Sequence, residues 1–316
     1  MDRWNAEGKV KKMMGFKKFT EHVLEVIHAK VGVAFQIKKQ TVTKNNNVKL
    51  TGITVVKGEA DIGPCVYLDA FYRDYETDGM RLEEIVDEVY RLIVKNEEET
   101  PDFDIVGFKR WETVRGNVYA KLINAEQNKE LLGRIPHRNF MDLAVVYYAV
   151  ARDHAQKDIG TILIYNGHME MWGQEEENLY RTAMMNMRAE GDADFAAIET
   201  VIKHIAPDIT FPTASSNVPW DTRMYILTNH RKHFGAAEIL DKKTLRMIAD
   251  KVGDRFLVLP SSLHETIVLP PKDESEYEWL ADMVRVVNDT QVDVEERLSY
   301  HVYAYSRDEE ALRIVA

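Results

Sequence analysis

The chain has 316 residues, 45% of them hydrophobic and 29% charged. This ordinary globular usage excludes disorder and collagen. Its single cysteine, Cys65, permits no internal disulfide and no Cys-based zinc cluster, and fits a reducing cytoplasm. The net charge is −11, and no apolar run approaches the ~20 residues of a membrane span. The N-terminus carries Lys9, Lys11 and Lys12 with no apolar core, so no signal peptide is expected.

The charge is uneven along the chain. Residues 1–57 hold 12 Lys/Arg against four Asp/Glu, a formal +8, while the remaining 29 Lys/Arg and 48 Asp/Glu give −19. Such asymmetry marks either a polyanion-binding patch or a basic piece that packs beside an acidic body.

Phe16, Phe19, Val23, Val26 and Ile27 recur at helical spacing, which predicts a helix over 16–30. Two β-rich runs, Val33–Thr43 and Val48–Val56, are joined by Asn45-Asn46-Asn47. Asparagine tolerates left-handed backbone angles, so a hairpin is predicted there. Val66–Tyr72 leads into a helix through Leu82, Ile85, Val86, Val89, Leu92 and Ile93, which ends before Thr100-Pro101. A strand over Val118–Ile123 and a short helix over Asn124–Leu132 follow, the latter closed by Gly133.

Leu143–Val150 and Thr161–Tyr165 read as strands, then a helix carries Leu179, Ala183 and Met187. A second helical period runs through Phe195, Ile198, Val201, Ile202 and Ile205 and stops at Pro207. Residues 207–222 hold three prolines and read as a connecting loop. Met224–Thr228 and Ala236–Leu240 are expected to form a hairpin, followed by a helix through Leu245, Ile248, Ala249 and Val252. Phe256–Leu259 and Thr266–Leu269 form a second expected hairpin, followed by a helix through Leu280, Met283, Val284 and Val287. Val302–Tyr305 is the last predicted strand. The recurring unit is strand, turn, strand, helix, which predicts an α+β fold of largely antiparallel sheets with helices covering their faces. Two domains are expected, 1–134 and 135–316.

The stretches TVTKNNNVKLTGI (41–53), LINAEQNKELLGRIPHRNFMDLAVVYY (122–148), FGAAEIL (234–240), FLVLPSSLHETIVLP (256–270) and VNDTQVDVEE (287–296) carry a resemblance. The chain resembles a bacterial family of unknown function common in anaerobic gut Clostridia, over about residues 16–305. The resemblance implies a bacterial, cytoplasmic protein and no particular chemistry.

Standard signatures are absent. The sequence has no G-x-x-x-x-G-K-[ST], no G-x-G-x-x-G after a strand, no G-x-S-x-G and no completed H-E-x-x-H. No motif calls for a cofactor. Polar clusters remain at two turns, Asn229–His233 and Ser261–Glu265. Were these tips to meet at one sheet end, His230, His233 and His264 would offer three imidazoles for a divalent metal, with Glu265 as a carboxylate. His264 and Glu265 are equally an acid/base pair, and Ser262 beside His264 invites a nucleophile–base reading. The competing reading is plain solvated turn residues. Cys65 is either a thiolate nucleophile or a strand start inside the core. His168, and His137-Arg138, mark polar turns. Trp172, Trp220 and Trp279 read as core or lid aromatics.

Three functions follow from these features. The first is a non-catalytic accessory protein that contacts an unidentified protein partner through a sheet edge or the acidic helical face of Glu83, Glu84, Asp87 and Glu88. The second is a hydrolase-like enzyme built on the His230/His233/His264/Glu265 tips. The third is weak nucleic-acid binding by Lys38, Lys39, Lys44 and Lys49 around the asparagine turn. No membrane association is expected, and oligomeric state is left open.

Overall fold

The computed structural model describes residues 3–4, 10–11, 14–32, 35–57, 65–98, 105–154, 158–205 and 223–316. The predicted loop 207–222 and the Thr100-Pro101 helix stop lie outside the described residues. The chain divides into two units: Met1–Lys44 with Val48–Phe103, and Asn45–Asn47 with Asp104–Ala316. The 104–134 stretch, expected in the first domain, therefore groups with the second.

The first unit contains a short ribbon, β1 (Arg3–Trp4) and β2 (Val10–Lys11), followed by α1 (Phe16–Val31). A three-stranded antiparallel sheet follows, in the order β3 (Phe35–Thr43), β4 (Lys49–Lys57), β5 (Cys65–Tyr67). Helices α2 (Asp69–Thr77) and α3 (Leu82–Glu98) complete it. Phe19, Val23 and Ile27 of α1 and Ile85, Val89 and Ile93 of α3 bury against Ile53, Val55 and Val66 of the sheet. The helix period of 3.6 thus meets the strand period of 2 on one apolar face. Asn46 and Asn47 take φ of 56° and 60°, the left-handed angles their side chains allow.

The second unit opens with α4 (Ile105–Phe108) and α5 (Trp111–Val114). Next come β6 (Val118–Asn124), α6 (Lys129–Leu132), β7 (His137–Phe140), β8 (Leu143–His154) and β9 (Asp158–Leu163). These strands form one antiparallel sheet in which β8 pairs with β6, β7 and β9. Helices α7 (Asn166–Trp172) and α8 (Glu176–Ala189) precede β10 (Asp194–Ala197) and α9 (Ile198–Ile205). Phe195, read with the helical run, therefore sits in a strand.

Then follow β11 (Tyr225–Thr228), a 3-10 helix over Gly235–Leu240, and α10 (Lys242–Val252). The chain continues through β12 (Arg255–Leu259), β13 (Thr266–Leu269), α11 (Tyr277–Gln291), β14 (Tyr303–Ser306) and β15 (Ala311–Ile314). A six-stranded antiparallel sheet runs β10-β11-β13-β12-β14-β15. The expected hairpin of 224–228 with 236–240 does not form: β11 pairs instead with β10 and β13. The 256–269 hairpin does form, with Leu257 opposite Leu269 and Val258 opposite Val268.

This sheet is covered on both faces. Phe256, Val258, Val268, Tyr303 and Tyr305 point into the large core shared with Val145, Tyr147 and Leu179. Alternate residues Leu257, Leu259 and Leu269 point the other way, onto Leu280, Ala281 and Val284 of α11. Successive strand residues face opposite sides, so a strand buried on both faces must be apolar throughout, as FLVL is. The α+β class with antiparallel sheets stands.

Candidate functional site

The turn between β11 and the 3-10 helix is held in an unusual backbone. Lys232 and Phe234 both have positive φ, 50° and 57°. The Asn229 side chain staples the turn, accepting from the His233 N–H at 3.2 Å and donating to the His233 carbonyl at 2.9 Å. At Gly235 a Cβ would collide with Thr228 Oγ1 and stand 2.6 Å from Asn229 N and His264 O, so only glycine fits. The Ser261–Glu265 turn docks against this one. Thr228 Oγ1 donates to the His264 carbonyl at 2.7 Å, and the Ala236 N–H donates to the Leu263 carbonyl at 3.2 Å.

The structure therefore brings the two polar turns together, but with only two of the three imidazoles. His233 and His264 have ring centroids 5.3 Å apart, and Phe234 stacks on His264 at 5.5 Å with 12° between planes. Lys121 Nζ lies 4.2 Å over the Phe234 ring, and Tyr148 meets its edge at 5.0 Å. His230 turns away, with Nδ1 2.8 Å from Asp194 Oδ1. Among the described residues no group of three or more His, Cys, Asp or Glu is placed to hold a metal ion.

His264 Nδ1 accepts the Phe234 N–H at 3.2 Å, so a neutral ring carries its proton on Nε2, which lies 3.6 Å from Glu296 Oε1. Its carboxylate partner is Glu296 rather than Glu265, which is half-buried on the strand side of the turn. Ser262 is buried and its Oγ accepts from the His264 main-chain N–H at 3.0 Å, so hydroxyl and imidazole are not paired. Burial, followed by the positive potential of His264, Lys121 and Arg231, pushes His233 down to about 4, and its buried Nε2 has no hydrogen-bond partner among the described residues. The arrangement is an imidazole pair packed on a phenyl ring, with the His264 Nδ1 lone pair already occupied by the Phe234 N–H.

Two further residues stand beside it: Glu238, which sequence reasoning missed, and Arg231, which lies within the Asn229–His233 cluster. Glu238 of the 3-10 helix is 9% exposed, and burial, then Asp241, Glu190 and Asp194, raise its carboxyl to about 8. Arg231 pairs with Glu190 at 2.5 Å and lies 4.9 Å over the Tyr119 ring. Neither is part of a recognisable motif.

The basic hairpin does not gather its lysines. Lys39 and Lys49 share the face of Ile53 and Val55, whereas Lys38, opposite Thr54, points to the other. Lys44 Nζ sits 4.4 Å over the Tyr67 ring. Within the second unit, Asn46 Nδ2 donates to the carbonyls of Val294 (2.8 Å) and Arg297 (2.7 Å), and Asn46 and Asn128 bond each other reciprocally. Cys65 starts β5, half-buried, with Gln40 Nε2 3.6 Å from its sulfur. His168 lies within α7, where its Nδ1 accepts the Tyr165 N–H and burial lowers its pKa. His137 Nδ1 bonds the Ile135 carbonyl, and Arg138 makes a two-pronged ion pair with Glu176.

Helix α11 supplies an unexpected surface. Trp172 is buried as expected, and Trp220 lies outside the described residues, but Trp279 is 62% exposed. Val286 is also 62% exposed and Val287 37%, with Met283 half-buried between them. At 100° per residue, Trp279, Met283, Val286 and Val287 fall within about 100° of one another, beside the face that Leu280, Ala281 and Val284 bury. The row Glu278, Asp282 and Asp289 borders the stripe on its other side. On the acidic face of α3, Glu84, Asp87 and Glu88 each pair with a base, Arg81, Lys30 and Arg91, and in the α11 row Asp282 pairs with Arg285 and Asp289 with Arg297. No helix among the described residues is long and apolar enough to cross a membrane.

No curated protein and no solved structure matches the chain. A family of unknown function, DUF5688, matches residues 16–307, and the chain belongs to that family.

Proposed function

We propose that this is a bacterial cytoplasmic protein that works by binding another protein, and that α11 is its contact surface. The observation that carries this reading is Trp279. A tryptophan 62% exposed, in line with Val286 and Val287, is a standing cost in water, and contiguous exposed apolar residues mark interaction sites. Tryptophan is also the side chain most enriched among interface anchors. The ordering of α11 by Leu280, Ala281 and Val284 means that the stripe is presented on a rigid element.

A photo-crosslinking residue at Val286, introduced in cells, tests the surface directly. A discrete adduct at Val286 that disappears on Trp279→Glu supports the reading. An adduct equally abundant from exposed Asp308, or unaffected by Trp279→Glu, removes it.

A further inference from the structure

The charge around α11 narrows the partner. Residues 273–295 contain eight acids (Asp273, Glu274, Glu276, Glu278, Asp282, Asp289, Asp293 and Glu295) and a single base, Arg285. Arg285 is already paired, 2.7 Å from Asp282. Asp289 is likewise paired, 3.2 Å from Arg297, so the apolar stripe is bordered by a field that is net negative although two of its acids hold arginines of this chain. Resting on the docking reading above, we infer that α11 receives a basic amphipathic helix of a partner protein. Its apolar residues, spaced i, i+3/i+4, i+7, lie along Trp279, Met283 and Val286, and its Lys or Arg row faces Glu278 and Asp282.

Geometry and charge both select this occupant. Trp279 to Val287 spans about 12 Å at 1.5 Å per residue, the length of two helical turns, which suits a helix laid along the stripe rather than a single side chain. Side-chain carboxylates of Glu278 and Asp282 are exposed, so a partner's ammonium or guanidinium groups reach them at the rim without burying a lone charge. A second copy of this chain would bring the same acids against their own kind, which like-charge repulsion opposes. An anionic lipid surface or a nucleic acid meets the same repulsion. Of the macromolecules that could cover an apolar helix face, only a basic, apolar one is complementary.

The test uses the full-length protein and three synthetic 18-residue helix-forming peptides. One has a Leu/Phe stripe flanked by Lys and Arg, the second the same stripe flanked by Glu, and the third the basic residues with the stripe replaced by Ser. Binding is followed by calorimetry and by chemical-shift changes of α11 amides. The expected result is binding of the first peptide alone. Raising salt from ~50 to ~500 mM should weaken it several-fold through screening. The Glu278→Lys/Asp282→Lys double variant should weaken it about tenfold or more, and Trp279→Ala should do likewise. If the acidic peptide binds as tightly as the basic one, the charge inference fails and the docking surface stands. The same holds if the protein proves to be a dimer that Trp279→Glu dissociates. If no peptide shifts α11 amides and the protein is monomeric with or without Trp279→Glu, both the inference and the docking reading fail.

Discussion

Replacing Glu238 with glutamine should make the second unit more stable, and increasingly so as pH rises. Glu238 is 9% exposed, and its carboxyl is raised from an ordinary 4.5 to about 8, first by burial and then by Asp241, Glu190 and Asp194. The sign follows from proton counting. Between pH 4.5 and 8 the unfolded chain has released a proton that the folded chain retains, so stability falls as pH rises through this window and levels off above it. At 1.36 kcal/mol per pKa unit, a displacement of this size sets a ceiling of about 5 kcal/mol on the loss. Glutamine keeps the volume and the oxygen that Thr244 bonds, and has no proton to lose. Urea unfolding followed by tryptophan fluorescence suits the measurement, since Trp111 and Trp172 lie in this core. Wild type and Glu238→Gln should unfold at similar urea concentrations at pH 5, and the variant at clearly higher concentration at pH 8. A pH dependence identical in the two proteins would refute the assignment of a protonated, buried Glu238.

Further perturbations probe the architecture. Gly235→Ala forces a Cβ to within 2.6 Å of two backbone atoms, and should cost more than ~3 kcal/mol in denaturant titration while shifting the His264 ring resonances. Asn46→Ala removes two side-chain donors and half of a reciprocal pair with Asn128, and leaves a left-handed backbone angle without its preferred residue. At about 1 kcal/mol per hydrogen bond, its cost should reach ~2–4 kcal/mol by thermal melting followed at several wavelengths. Tyr303→Phe leaves the Asp142 carboxylate with Ser299 as its remaining hydroxyl donor, and should destabilise by ~1–3 kcal/mol in the same assay.

Most of this architecture is legible in the sequence because period and burial agree. α1, α3, α8 and α10 each carry one apolar stripe, and β12 and β13 alternate between two covered faces. The failures fall where a period continues across a junction. Phe195 stands three residues before Ile198, so it looks helical, yet Asp194–Ala197 pairs with β11 and the helix begins at Ile198. The residues Gly-Ala-Ala-Glu-Ile-Leu after the His230–His233 turn lack the β-branched density of a strand and form a 3-10 helix instead. That left β11 free to pair with β10 and β13, partners that no local pattern names. Helix α2 escaped notice because Phe71, Tyr72 and Tyr75 are only half-buried and give a weak stripe.

The candidate site divides along the same line. Convergence of the two turns follows from the pairing of β11 with β13, which the sequence left only as a condition. What each imidazole does was not, because it depends on partners far along the chain. His264 is oriented by the Phe234 amide and by Glu296, and His230 by Asp194. Trp279 shows the opposite case. Residue type suggests a core aromatic, but the rotation of α11 decides, and that rotation is fixed by which residues the sheet accepts. Leu280, Ala281 and Val284 sit on Leu257, Leu259 and Leu269, and Trp279, about 100° from Leu280 around the helix, is carried outward with Val286. The helix thus bears two apolar stripes, of which the sheet can bury only one. The second, edged with Glu278 and Asp282, is the surface on which a basic amphipathic partner has both its apolar and its charged requirements met.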